Sequence, residues 1–130
     1  TIEVSGTWTQ IDAIFEAVVA ALKTVPDCVN ASAHSSHVYR SGINLYFTFA
    51  CMPEDAAVMG DRYLESWDRA LSATAQAGGG IAHHHGSGRL RRDYLHHDLG
   101  ATGISLLRTL KHAIDPKGIL NPGNLLPPRD

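Results

Sequence analysis

At 130 residues the chain is about one domain long and can bury a core of its own. Hydrophobic residues make up 44% and charged residues 18%, the composition of a soluble globular protein, and a formal net charge of −2 argues against general attraction to nucleic acid or membranes. No apolar run approaches the ~18 residues that span a bilayer, and the N-terminus shows no basic segment followed by an apolar stretch.

Ile2 and Val4 alternate with polar neighbours over Thr1 to Gly6, as in a half-buried strand. Ile11, Ile14, Phe15, Val18 and Leu22 then share one helical face, with Thr9 as the expected N-cap, Asp12 in the capping-box position and Pro26-Asp27 as the stop. Cys28 to Arg40 reads as a strand, Ser41-Gly42 as a turn, and Ile43 to Cys51 as a second strand. In that strand Ile43, Leu45, Phe47, Phe49 and Cys51 face one side, while Asn44, Tyr46, Thr48 and Ala50 face the other.

Pro53-Glu54-Asp55 suits the first turn of a long helix with Ala57, Leu64, Trp67, Leu71 and Ala75 on one face, stopped by Gly78-Gly79-Gly80. Ile81 to Gly88 reads as a short strand or loop, Arg89 to Leu95 as a basic helical stretch, and Thr102 to Ile114 as a last helix carrying Leu106, Leu107, Leu110 and Ile114. Asp115-Pro116 breaks that helix before a Pro/Gly-rich tail. The order predicts an α+β fold: an antiparallel sheet with helices on one face, a ferredoxin-like unit plus a C-terminal helical tail. Cys28 and Cys51 are too few for a disulfide scaffold and read as buried free thiols in a reducing, cytoplasmic setting. The start at Thr1, with no methionine before Met52, suggests a piece of a longer protein.

Chemistry concentrates in His83-His84-His85. An extended chain would send His83 and His85 to one side and His84 to the other, and imidazoles suit acid–base work, anion binding or metal ligation. Glycines on both sides let a backbone approach a ligand, and Arg89, the arginine closest to the histidines, is a candidate anion contact. His83 and His85 with His34 or His37 would offer three zinc ligands, yet neither Cys-x-x-Cys nor His-Glu-x-x-His accompanies them, so no metal is assigned. Gly86-Ser87-Gly88 lacks the third glycine and the βαβ setting of a dinucleotide fingerprint. Tyr46, on the polar face of its strand beside Asn44 and Thr48, is either a packing residue or a proton donor or acceptor.

The tail Asp115-Pro116-Lys117-Gly118-Ile119-Leu120-Asn121-Pro122-Gly123 resembles the C-terminal signature of FAD-linked oxidases of the vanillyl-alcohol oxidase-like superfamily. Gly79 to Arg91, with its triple histidine, and the stretches Ser36 to Gly42 and Leu45 to Phe49 are similar to the alkyldihydroxyacetonephosphate synthase branch. The resemblance implies FAD as cofactor, held by the protein's own N-terminal domain. It gives Tyr46 an acid–base role, places His83, His84 and His85 beside flavin and substrate, and puts Asn121 on the cofactor side. Residues 1–98 would be part of the cap or substrate domain, and 99–130 a helix and tail packing toward the FAD domain. The implied reaction exchanges the acyl group of acyl-dihydroxyacetone phosphate for a fatty alcohol without net redox, in ether-lipid synthesis. Oxidation of a 2-hydroxy acid or alcohol is the alternative, and a stand-alone metal- or ligand-binding module the second. Small-molecule substrates are the expected partners, with no nucleic acid, and peripheral membrane association of the parent enzyme stays open. The 130 residues alone are expected to be inactive and to hold no FAD.

Overall fold

The computed structural model describes residues 1–126. Its elements are β1 (Ile2–Thr7), α1 (Ile11–Lys23), β2 (Cys28–His34), β3 (Gly42–Cys51), α2 (Met59–Gln76), α3 (Gly88–Arg91) and α4 (Leu95–Ile114). The strands form one antiparallel sheet in the order β1-β3-β2, the arrangement of three strands of a ferredoxin-like unit. The place of a fourth strand is taken by one bridge, in which Ser5 and Gly80 exchange backbone hydrogen bonds of 3.0 and 2.8 Å. That bridge sets the histidine segment along the free edge of β1.

Alternation sorts the two sheet faces as expected. Ile2, Val4, Leu45 and Phe47 meet Ile14, Val18 and Leu22 of α1 and Trp67, Ala70 and Leu71 of α2 in one core. Burying a side chain the size of Phe47 stabilises by roughly 1.5–3 kcal/mol. Gly42 is required at the β1–β3 crossing, since a Cβ there would lie 2.1 Å from the carbonyl oxygen of Gly6.

Several boundaries differ from the sequence reading, each for a local reason. Thr9 does not cap α1: its hydroxyl lies 3.0 Å from that of Thr7, and Gln10 occupies the N-cap without a side-chain cap bond. β2 ends at His34 rather than Arg40, because the Asn44 side chain draws residues 35–37 off the ladder. Its Oδ1 accepts the backbone N–H of Ser36 at 3.1 Å and of His37 at 2.8 Å. The chain then closes a turn, with the Tyr39 N–H donating to the Gly42 carbonyl at 2.8 Å.

Pro53 to Asp55 does not begin the long helix. Asp55 caps a single 3-10 turn over Ala56–Val58, accepting from the Ala57 N–H at 2.8 Å, and α2 starts at Met59. Its buried face is Ser66, Trp67, Ala70, Leu71 and Thr74, so Leu64, expected inside, is 55% exposed and Ala57 is exposed too. The small residues Ala70 and Thr74 turn this stripe inward (their size admits a close approach of α1).

The last helix begins earlier than expected, at Leu95, and contains a break at Gly100, whose φ of 64° no helix interior adopts. Leu95 anchors it in the core. Leu106, Leu110 and Ile114 of the expected helix are 60%, 49% and 74% exposed. Cys28 and Cys51 are free and half-buried rather than buried, and are register partners across β2 and β3. Residues 127–130 of the expected tail lie outside the described residues.

Candidate functional site

The face of the sheet away from the helices carries a cross-strand row. Glu3 on β1 and His34 on β2 are both register partners of Tyr46 on β3. Strand alternation points Glu3 away from the core that Ile2 and Val4 enter, which would ordinarily put a carboxylate in water. Instead Glu3 is fully buried, at 0% exposure, because the histidine segment folds over it. A buried carboxylate requires partners, and the segment supplies them. The backbone N–H of His83 donates to Oε2 at 3.1 Å, and that of His84 donates to Oε1 at 2.8 Å.

Those two bonds bend the chain, so residues 83–85 are not extended. His83 and His84 turn the same way, each placing Nδ1 near Glu3 Oε1, at 3.1 and 3.0 Å. The two Nδ1 atoms lie 2.9 Å apart as a hydrogen-bonded pair. His85 turns toward the strand row and meets the Tyr46 ring edge-on at 5.3 Å. Of the three histidines, His85 is the one that reaches the Tyr46 ring.

An unbroken band of rings results. Tyr39 contacts His83 at 5.4 Å, His83 contacts His84 at 5.1 Å, and His84 contacts His85 at 4.3 Å. Beyond His85 come Tyr46 and then His34, stacked on it at 5.2 Å. His37 leans on both His83 and His84, at 5.3 and 4.7 Å. Tyr39 and His83 also border a cleft of about 410 Å³ lined by Ser5, Thr7, Gln10 and Ser41.

Arg91 frames the histidine segment from behind. It donates from Nε to the Ile81 carbonyl at 2.9 Å, and from its two terminal nitrogens to Gly86 at 3.1 Å and Glu3 at 2.9 Å. Its guanidinium lies 3.6 Å from the Glu3 carboxylate and 4.8 Å over the Trp67 ring. Burial pushes its pKa down, and the Glu3 charge opposes that shift. Arg89, the arginine singled out from sequence, is exposed and makes no hydrogen bond or ion pair among the described residues.

Ring nitrogens of His37, His83 and His84 lie within 4.8 Å of one another, a different set from the His83–His85 pair expected to offer zinc ligands. Four of their six ring nitrogens take hydrogen bonds: His83 Nδ1 with His84 Nδ1, His83 Nε2 with the Tyr39 hydroxyl, and His37 Nδ1 with the Ser36 hydroxyl. The cluster is a hydrogen-bonded network in its own right.

At the far end, Asp115 organises the tail. Its carboxylate accepts from the Lys111 ammonium and from the N–H groups of Ile119 at 3.0 Å and Leu120 at 2.8 Å. Lys111 first, then these amides, hold its pKa at about 2 against the usual 3.8. Asn121 follows with a φ of 46° and is exposed. The tail and α4 enclose an apolar cleft of about 860 Å³, which shares no lining residue with the ring band.

Glu3 and Tyr39 are not among the residues singled out from sequence, and Arg91, which with Arg89 and Arg92 reads as a solvated charge run, is buried instead. Alternation places Glu3 on the Tyr46 face, which is a usable signal, but nothing in the sequence sets the register that joins it to residues 83 and 84.

Residues 1–125 match the family described as FAD linked oxidases, C-terminal domain. The chain belongs to that family. It is similar to the uncharacterised FAD-linked oxidoreductase YgcU of Escherichia coli K12, 34% identical over 98% of this chain and 28% of the relative. It is also similar to alkyldihydroxyacetonephosphate synthase of Trypanosoma brucei brucei, 37% identical over 72% of this chain and 15% of that protein. A third relative is the mitochondrial D-2-hydroxyglutarate dehydrogenase of Danio rerio, 31% identical over 70% of this chain and 16% of the relative. The chain thus spans less than a third of the length of these relatives. The family is FAD-linked, so the full-length enzyme uses FAD, and a C-terminal domain implies an N-terminal FAD-binding one. The residues here fit that division. Gly86-Ser87-Gly88 opens only the four-residue α3, which is no phosphate cradle, while the exposed His84 and His85 offer an open imidazole wall.

Proposed function

We propose that this domain forms the substrate-side wall of a FAD-dependent enzyme that exchanges the acyl group of acyl-dihydroxyacetone phosphate for a fatty alcohol. The observation that carries the reading is the packing of Tyr46 between His85 and His34, at 5.3 and 5.2 Å. A phenol flanked by imidazoles at an open face suits proton movement at a substrate carbon. The triple histidine and the likeness to an alkyldihydroxyacetonephosphate synthase support the choice of reaction.

His84 and His85 are the side chains of this chain that would meet the flavin, with Asn121 on the cofactor side of the tail. Bound FAD would supply an electron sink for the reaction. Tyr46 gives or takes the substrate proton at its hydroxyl, and the imidazoles offer N–H donors to oxygens that gain charge. Arg89, exposed at the start of α3, is free to meet a phosphate. The exposed leucines of α4 and the apolar cleft beside them would be covered by the FAD domain.

A second reading is oxidation of a 2-hydroxy acid or alcohol, favoured by the relative named D-2-hydroxyglutarate dehydrogenase and by the 98% cover with the oxidoreductase. Anaerobic mixing of the full-length protein with 2-hydroxy acids separates the two. The exchange reading expects the flavin colour to persist, with fatty alcohol incorporated into the ketone phosphate. Bleaching by a hydroxy acid would replace it with the oxidative reading.

A further inference from the structure

Two phenols stand at the ends of the histidine run, and their surroundings differ. The hydroxyl of Tyr46 has only the Thr1 hydroxyl as a hydrogen-bond partner among the described residues, at a long 3.4 Å. The hydroxyl of Tyr39 lies 2.9 Å from Nε2 of His83. On the other side of that ring, Nδ1 is 3.1 Å from the buried Glu3 carboxylate. Carboxylate, imidazole and hydroxyl therefore lie in sequence, the order in which a buried acid orients an imidazole to accept a hydroxyl proton.

Tyr39 is held in place by its backbone. Its N–H donates to Gly42 at 2.8 Å and its carbonyl accepts from the Trp8 indole at 3.1 Å. Its ring is half exposed and borders the 410 Å³ cleft together with His83.

We infer that Tyr39 and His83 form a proton-sharing pair backed by Glu3, and that this pair passes protons between the histidine run and the cleft. In the forward step the O–H bond of Tyr39 breaks as an N–H bond forms at His83 Nε2. This leaves a phenolate and an imidazolium, the latter beside the Glu3 carboxylate, and the reverse step restores both neutral groups. The groups facing His83 are Glu3 from β1, His37 and Tyr39 from the β2–β3 loop, and His84 from its own segment. Tyr39 acts through His83 and is a positioning and relay residue. The inference rests on the histidine run being the reaction wall.

The test uses full-length holoenzyme carrying 15N-labelled histidine, with the His83 signals assigned by their loss in His83→Gln. Tyr39→Phe should shift the His83 Nε2 signal, and Tyr46→Phe should leave it in place. With acyl-dihydroxyacetone phosphate plus fatty alcohol, or with a 2-hydroxy acid, whichever the wild type turns over, Tyr39→Phe should lower kcat about 10²-fold and leave KM unchanged. An unmoved His83 signal, or wild-type kcat in Tyr39→Phe, overturns the inference. If the wild type turns over neither substrate, the proposed reaction fails, and the His83 signal alone decides the pairing.

Discussion

Glu3 Oε1 lies 2.8 Å from the backbone nitrogen of His84, a residue 81 positions later in the chain. This contact, with its companion to His83, turns three adjacent histidines into a shaped site. An extended strand there would divide the imidazoles between two faces; anchoring on a buried carboxylate gathers two of them and aims the third at Tyr46.

Removing that anchor should be costly. Glu3→Ala strips acceptors from two amides at the edge of the core, and each unsatisfied buried group costs about 1–3 kcal/mol. Thermal melts of the full-length protein should show a loss of at least that order, and turnover should fall with it. A melting temperature equal to wild type would mean that water replaces the carboxylate and that Glu3 shapes nothing.

Tyr46→Phe removes one hydroxyl whose single partner among the described residues is the Thr1 hydroxyl, at a long 3.4 Å. Stability should change by less than about 1 kcal/mol, while turnover should fall about 10²–10⁴-fold. Near-normal activity would reduce Tyr46 to a packing residue between His34 and His85.

Much of this frame is legible in the residues. The alternation in INLYFTFAC gives β3 and its two faces, the spacing of Ile14, Val18 and Leu22 gives α1, and the triple glycine gives the stop of α2. The length of β2 is not legible, because a distant side chain, Asn44, sets it by capturing the amides of Ser36 and His37. The inward face of α2 is misread for a related reason: Leu64 is more apolar than Thr74, yet packing against α1 favours the smaller pair Ala70 and Thr74. The site residues Tyr46 and His83 to His85 come from a local motif. Glu3 and Tyr39 join them only through register and loop geometry.

The tail has a pH signature. Asp115 has its pKa depressed to about 2 from 3.8, chiefly by Lys111. Its contribution is therefore complete above about pH 4 and is lost as pH falls toward 2. In the full-length protein, amide exchange at Ile119 and Leu120 should be slow at pH 5 and fast in Asp115→Asn at the same pH. Equal exchange in the two proteins would refute the anchor.

Chelation should change little. Ring nitrogens of His37, His83 and His84 are engaged with Ser36, Tyr39 and one another. Treating the full-length protein with EDTA should leave turnover intact. Activity lost on chelation and restored by zinc would recast the cluster as a metal centre.

The central claim, that the imidazole wall meets the flavin, is tested most directly by the visible absorption spectrum of the full-length holoprotein. His85→Ala leaves the FAD-binding domain untouched, so cofactor content should stay at wild-type level while the flavin bands shift. Superimposable spectra at equal flavin content would contradict the account.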